Sequence, residues 1–173
     1  MIGTLSIVAK ATAQARRTTV DNPLALQEQV CFALAVASRS VIALYRPVLE
    51  PLGLTHPQYL VMLALWEREP LSARELARLL QLDPATLSPL LRRLEALGYV
   101  TRGRNPLDER ALAVGLTRDG RALRRRALRV PEQIVARLGM DVAELREMQG
   151  RLTRVIEAAT TGPAPRPAPD YGA

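Results

Sequence analysis

The chain has 173 residues, enough for one domain with its own core, and 48% of them are hydrophobic, which excludes a disordered chain. Aromatic residues make up only 3%, so the core must be built from Leu, Ala and Val, a composition that favours helices over strands. A formal net charge of +7 points to a polyanionic partner, most simply nucleic acid, while one cysteine and one histidine exclude an intrachain disulfide and a Cys- or multi-His metal centre within one chain.

Residues 1–20 show no period and read as a flexible arm. Met1 to Val8 is mildly apolar, but it lacks a basic lead and is too short for a secretion signal. No apolar run reaches membrane-spanning length, so a cytoplasmic location without a membrane partner is expected. Asp21-Asn22-Pro23 is a helix-start signal, and Leu26, Val30, Leu34, Ala37, Val41, Leu44 and Val48 then recur at helical steps. Pro47 and Pro51, followed by Gly53, perturb or end that helix.

Thr55 caps a second helix with Pro57 in its first turn and Tyr59, Leu60, Leu63, Ala64 and Trp66 as its apolar members. Glu69-Pro70 breaks it, and Leu71 reads as a strand stub. Ser72 caps a third helix with Glu75 at capping-box spacing and Leu76, Leu79 and Leu80 as its apolar face. Gln81-Leu82 links it to a fourth, for which Asp83 is the N-cap, Pro84 the first helical residue and Gly98 the terminator. Its stripe is Leu87, Leu90, Leu91, Leu94 and Leu97. Helix, short turn, helix over residues 72–97 is the helix-turn-helix arrangement, with the second helix as reader. Thr86, Ser88, Pro89, Arg92 and Arg93 fall largely off its apolar stripe, as side chains that enter a DNA groove must.

Tyr99 to Arg102 and Ala111 to Leu116 read as two strands around a polar loop, so the reader is followed by a basic hairpin. That makes a winged helix. Arg102, Arg104 and Arg110 are placed to reach phosphates or a minor groove. Thr117 caps the next helix, with Gly120 a weak spot in its first turn. Arg121, Arg124, Arg125, Arg126 and Arg129 form a basic run, either a solvated face or an approach to flanking phosphates. Asp141 caps a last helix carrying Leu145, Met148, Leu152, Val155 and Ile156. Residues 161–173 read as a disordered Pro-rich tail.

The expected fold is mainly α: a winged helix-turn-helix with a small β-hairpin wing, occupying residues 21–160. Residues 55–117 form the DNA-binding part. The helices at about 21–50 and 118–160 carry apolar stripes too long for a small wing domain to cover. They are expected to pair in a homodimer, whose two readers would meet a palindromic site roughly 34–36 Å apart.

Cys31 admits two readings. It is a packing cysteine, or it is a reactive thiol that needs hydrogen-bond donors and access. It lies too deep in its helix to gain from the helix dipole. Tyr45, fourteen residues on, shares its face but lies about 21 Å away along the axis, so the two meet only across an antiparallel pair of subunits.

Several segments in order carry a family resemblance: Gln29-Val30-Cys31-Phe32-Ala33-Leu34, Tyr45-Arg46-Pro47-Val48-Leu49-Glu50, Pro57-Gln58-Tyr59-Leu60, Leu82-Asp83, Thr86-Leu87-Ser88-Pro89-Leu90-Leu91-Arg92-Arg93-Leu94-Glu95 and Asp108-Glu109-Arg110. From about Pro23 to Ala159 the chain resembles the MarR family of winged-helix repressors, and within it the organic hydroperoxide resistance regulators. The resemblance implies a homodimer bound to double-stranded DNA until an organic hydroperoxide oxidises Cys31. It implies that Tyr45 and His56 sit near the thiol across the dimer, His56 standing where many relatives have Tyr, and that a protonated His56 would hold a thiolate strongly. It implies that Asp108 orients Arg110 toward the minor groove. With no second cysteine, oxidised Cys31 would condense with a low-molecular-weight thiol, cyclise to a sulfenamide or oxidise further. No cofactor or metal is implied. Three other readings compete: a repressor released by a small phenolic ligand with Cys31 only packing, a thiol peroxidase, and a non-specific nucleic-acid packaging protein. The peroxidase reading lacks a resolving cysteine and a Gly-rich cofactor loop, so the chain is not expected to be an enzyme.

Overall fold

The computed structural model describes residue 22 and residues 24–105 and 108–161, without the side chains of 104, 105 and 108–112. The expected arm, Asp21, Pro23 and the Pro-rich tail beyond Thr161 lie outside the described residues. The chain divides into two compact units between Ala43 and Leu44.

The first helix begins later than Leu24. The Asn22 side chain accepts the Leu24 N–H at 3.0 Å, an Asx turn that competes with helix formation. A 3-10 turn over Leu26–Glu28 follows, and extended backbone at Gln29 (ψ 120°) delays the α-helix α1 to Val30–Leu49. Pro47 lies inside α1, and the chain leaves it through a 3-10 turn, Glu50–Leu52, closed by Gly53 at φ 68°. The segment Val30–Leu52 has 23 residues and contains an 18-residue stretch of mean hydropathy 1.4, which by length and composition corrects the expectation that no run is long and apolar enough to cross a membrane.

The remaining elements follow the capping signals. Helix α2 spans His56–Glu67, β1 Leu71–Ser72, α3 Ala73–Leu80, α4 Pro84–Ala96, β2 Val100–Asn105 and β3 Asp108–Leu116. After them come α5 (Arg118–Ala127), α6 (Val130–Leu138) and α7 (Val142–Thr161). Capping boxes form at Thr55 with Gln58 and at Ser72 with Glu75, and Thr117 accepts the Gly120 N–H. Asp141 and Glu144 exchange a reciprocal pair of bonds at the start of α7, at 2.8 and 3.0 Å.

The turn between α3 and α4 has no glycine because Gln81 itself takes the left-handed conformation, φ 51°. Its N–H and that of Leu82 return to the end of α3, Leu82 to Ala77 O at 2.9 Å. The strands form one antiparallel sheet in the order β1-β3-β2, with Leu71 opposite Val114 and Val100 opposite Leu116. The wing hairpin is longer than its apolar residues suggested, with a register irregularity at Arg104/Asn105.

The core of the second unit is built from Leu49, Met62, Leu65, Leu76, Leu87 and Leu94, all nearly inaccessible. Several expected apolar members point outward instead. Leu63 is 41% exposed and Leu79 50%, while Val61, Met62 and Ala77 take the inward positions. Leu97 is 46% exposed, since α4 ends at Ala96 and the Gly98 turn (φ 73°) follows. Gly120 is not a weak spot: it is buried, and a Cβ there would stand 2.0 Å from the Tyr99 carbonyl oxygen. Helix α7 buries none of its residues in the single chain.

Candidate functional site

The reader helix α4 is held at its start by Asp83. Its carboxylate accepts the Thr86 N–H at 2.8 Å and the Thr86 hydroxyl at 2.6 Å. Those two bonds hold the Asp83 carboxyl below the usual carboxylate range, the hydroxyl bond first. Thr86 therefore spends its proton on the cap and faces outward as an acceptor with a methyl group. That suits a base-edge amino group or a thymine methyl. Leu87, Leu91 and Leu94 anchor the opposite face in the core. Ser88, Arg92 and Arg93 are exposed, and Pro89 is half-buried. Pro89 has no N–H to give the Ala85 carbonyl, so the solvent side of α4 carries an acceptor without its usual intrahelical donor.

Arg102 does not extend freely from the wing. Its guanidinium folds back on α4, 3.4 Å from Glu95 Oε2 and 3.4 Å from the Ser88 carbonyl oxygen. It straps the first strand of the wing to the reader. The side chains of Arg104, Asp108 and Arg110 lie outside the described residues; their backbone belongs to β2 and β3. At the base of the wing, Glu69 accepts the Leu116 N–H at 2.8 Å and a two-pronged Arg121 guanidinium at 2.7 and 2.9 Å. The expectation that the whole basic run is a free face therefore fails at Arg121, and Arg126 is engaged with the Pro51 carbonyl.

Among the sensor residues, Cys31 is exposed in the single chain, and it is the second residue of α1, so it lies in the first turn and not two turns in as the sequence suggested, within reach of the helix dipole that favours a thiolate. Tyr45 and His56 come together, ring centroids 4.9 Å apart and edge to face. Two residues that the sequence reading left in the core extend this pair into a row: Tyr59 at 6.0 Å from Tyr45, and Trp66 at 6.3 Å from Tyr59. The signal was present in the spacing, because Tyr59 is three residues after His56 and Trp66 seven after Tyr59, so all three share one face of α2. Burial raises the Tyr45 phenol above its usual pKa; burial and then the charge of Tyr45 do the same for Tyr59. Burial lowers the His56 imidazole below its usual value. The cluster thus offers two phenols and one imidazole as hydrogen-bond donors, and burial works against the protonated form of His56 that would hold a thiolate most strongly.

Beside this row lies a cavity of about 470 Å³ lined by Tyr59, Leu63, Trp66, Arg124 and Leu128 among others. The Trp66 indole N–H donates to the Gly120 carbonyl at 2.9 Å, which fixes one wall against the start of α5.

The geometry of helix, turn, reader helix and strapped wing has counterparts among known proteins. The MarR family model matches residues 54–112. The organic hydroperoxide resistance transcriptional regulator of Bacillus subtilis is 37% identical over 132 residues, covering 76% of this chain and 90% of that protein. The HTH-type transcriptional regulator TtmR of Methylorubrum extorquens is 42% identical over 136 residues, 79% of this chain and 70% of TtmR. Among solved structures, that of reduced AbfR bound to DNA superposes with a TM-score of 0.67 at 33% identity, covering 79% of this chain and 93% of AbfR. These proteins are regulators rather than enzymes. Sequence and fold agree: this chain belongs to the MarR family of transcriptional regulators.

Proposed function

We propose that the protein is a homodimeric, cytoplasmic repressor that binds a palindromic operator and releases it when an organic hydroperoxide oxidises Cys31. The observation that carries this reading is the exposure of the chain's one cysteine on a helix that begins only one residue before it. The kinship with a regulator named for organic hydroperoxide resistance supports it. Large apolar side chains left exposed at Val30 and Ile42 on α1, and at Met148, Leu152, Val155 and Ile156 on α7, support burial against a second copy. In that dimer, Tyr45 and His56 of one subunit serve Cys31 of the other as neutral hydrogen-bond donors.

The chemistry balances without a cofactor. The Cys31 thiolate attacks the terminal peroxide oxygen, the O–O bond breaks, and the alkoxide leaves and takes up a proton as the alcohol. Cys31 becomes a sulfenic acid, and a small thiol then condenses with it, giving a mixed disulfide and water. Thr86, Ser88, Pro89, Arg92 and Arg93 on α4 read the operator. Arg104, Asp108 and Arg110 of the wing reach the neighbouring groove, with Arg102 holding the wing to the reader. Residues 55–117 are the DNA-binding part, and the helices at about 21–50 and 118–160 form the dimer.

The test is operator affinity before and after cumene hydroperoxide, for the wild type and for Cys31→Ser. Release by the wild type alone is expected, with mass spectrometry placing the added oxygen or thiol on Cys31. Equal behaviour of the two proteins would sink the proposal. One observation favours a second reading, release by a small phenolic ligand: the aromatic-walled cavity with Arg124 at its rim. Trp66 is the only tryptophan and lines that cavity, so quenching of its emission by phenolic acids, coupled to operator release in Cys31→Ser, would favour that reading.

A further inference from the structure

The chain carries one tryptophan, four tyrosines and one histidine, and the tryptophan, the histidine and two of the tyrosines stand in a single row. Ring centroids are 6.3 Å apart from Trp66 to Tyr59, 6.0 Å from Tyr59 to Tyr45 and 4.9 Å from Tyr45 to His56, each within the ~4.5–7 Å of aromatic rings in contact. Among the described residues Trp66 and Tyr45 make no direct ring contact, so Tyr59 is what joins them. The middle of the row is sealed, with Tyr59 only 3% exposed. Its ends are open: Trp66 is partly exposed and lines the cavity of about 470 Å³, and Tyr45 and His56 are partly exposed as well. The Trp66 ring is held in place by its bond to the Gly120 carbonyl. Indole and phenol rings each lose one electron to give a delocalised radical, and between rings in contact an electron passes without either partner moving.

We propose that this row is a path for one-electron oxidation, which accepts the oxidising equivalent of an alkoxyl radical at Trp66 and delivers it through Tyr59 to Tyr45. The alkoxyl radical, formed by one-electron reduction of an organic hydroperoxide, reaches the indole through the open cavity. It takes an electron from Trp66 and a proton from water and leaves as the alcohol, while the indole gives its N–H proton to water and becomes an indolyl radical. The indolyl radical then regains an electron from Tyr45 by way of Tyr59, and a proton from water. Tyr45 gives its phenolic proton to water and is left as a phenoxyl radical. In sum, one alkoxyl radical and one phenol become one alcohol and one phenoxyl radical. The transfer runs in this direction because the phenoxyl radical is the more stable of the two at neutral pH. It ends on Tyr45 because that ring is partly exposed and releases its proton to water more readily than the buried Tyr59. The path depends on the rings alone, so it stands whether or not Cys31 is the sensor.

The test is pulse radiolysis of the full chain and of its Cys31→Ser variant with azide radicals, which oxidise indole in preference to phenol at neutral pH. In both proteins the indolyl absorption is expected to decay as the phenoxyl absorption grows, at a rate independent of protein concentration. Tyr59→Phe is expected to slow that conversion at least tenfold, Tyr45→Phe to lower the phenoxyl yield at least twofold, and the two together to abolish it. Tyr99→Phe, outside the row, is expected to change nothing. Thermal unfolding of each variant shows that it is folded. Photolytic tert-butoxyl radicals with a nitroso spin trap then test the oxidant class, with peptide mass spectrometry expected to place the adduct on Tyr45. Absence of phenoxyl growth, a rate proportional to protein concentration, an unchanged rate in Tyr59→Phe, or tert-butoxyl adducts on Trp66 alone would each overturn the assignment. If Tyr99→Phe abolishes the growth, or the double variant keeps it, the electron comes from outside the row and the proposal fails.

Discussion

Gly120 gives the sharpest test of how the wing is joined to the helices behind it. A methyl group there would stand 2.0 Å from the Tyr99 carbonyl oxygen, 3.0 Å from its carbon and 3.3 Å from Leu116 Cδ2. Ordinary carbon–oxygen approaches are about 3.3 Å or more, so about 1.3 Å must open. The neighbours cannot give that space cheaply. The Tyr99 carbonyl also accepts the Thr117 N–H at 3.0 Å, the Gly120 N–H donates to Thr117 Oγ1 at 2.9 Å, and the Gly120 carbonyl accepts from Trp66. Losing two such bonds at about 1 kcal/mol each, with about 1–3 kcal/mol of overpacking, predicts about 3–5 kcal/mol of destabilisation for Gly120→Ala. At about 2–4 °C per kcal/mol for a chain of this size, Tm falls by about 6–20 °C. Gly150 is the control: it lies in α7 with nothing within 4 Å of an added Cβ. There Gly150→Ala gains about 0.5–1 kcal/mol of helix propensity and raises Tm slightly. Both are read by circular dichroism melts, with Trp66 emission as a local probe. A Gly120→Ala protein melting within about 3 °C of the wild type would refute the close-approach argument.

Burial lowers the His56 pKa from its usual 6.5, so the unfolded chain binds a proton there before the folded one does. Stability therefore falls as pH drops from about 6.5 toward the lowered folded value, and His56→Gln should flatten that slope in urea titrations between pH 7 and 5. Glu69→Ala leaves the part-buried Leu116 N–H and the Arg121 guanidinium without their acceptor; about 1–3 kcal/mol of stability is expected to be lost, with Glu69→Gln recovering part of it in the same assay. Arg92→Ala and Arg93→Ala should leave the melt unchanged, since both side chains are exposed, while weakening operator binding. Each change that removes a phosphate contact lowers the logarithmic salt slope by about 0.9, and one that removes a base contact instead relaxes sequence preference at a constant slope.

The sequence was most legible where the controlling interaction is local. Ser72, Asp83, Thr117 and Asp141 each accept an N–H three residues on, and Thr55 donates its own N–H and hydroxyl to Gln58 Oε1, so a few consecutive residues fix where those helices begin. The inward faces were less legible. Leu63 and Leu79 fit a helical stripe as well as Val61 and Ala77 do, and only packing against other elements decides which of two neighbouring stripes is buried. Gln81 shows the same limit in the backbone. Nothing in its side chain marks a left-handed residue, and the return bonds to Ala77 hold it there. The candidate site divides along the same line. The outward polar residues of α4 follow from its spacing, whereas the fold-back of Arg102 and the Glu69–Arg121 contact, 52 residues apart, depend on the tertiary fold. His56 was placed beside Tyr45 by resemblance, but the lowering of its pKa follows only from burial.

The long-range side-chain bonds bear on how a DNA-reading helix can be switched. Tyr99, directly after the reader, is tied to Leu52; Glu69 binds both the end of β3 and α5; Trp66 holds the first turn of α5; Thr117 donates to the Gly98 carbonyl at 2.6 Å. Each bond joins an element next to the reader with one distant in sequence, and the apolar core beneath them is continuous. Moving α4 alone would break several of these bonds at about 1 kcal/mol each and open the core as well. A rigid displacement costs none of them if the turn at Glu50–Leu52 and the start of α5 move together with residues 55–117, since Leu52, Gly120 and Arg121 hold the other ends of three of these bonds. Oxidation in the proposed mechanism should therefore act on the separation of two intact readers, leaving the fold of each unchanged. Hydrogen exchange separates the alternatives: amide protection in α4 and the wing root should be the same in reduced and hydroperoxide-treated protein without DNA. Loss of protection confined to Thr86 to Leu94 on oxidation would show that the reader melts instead.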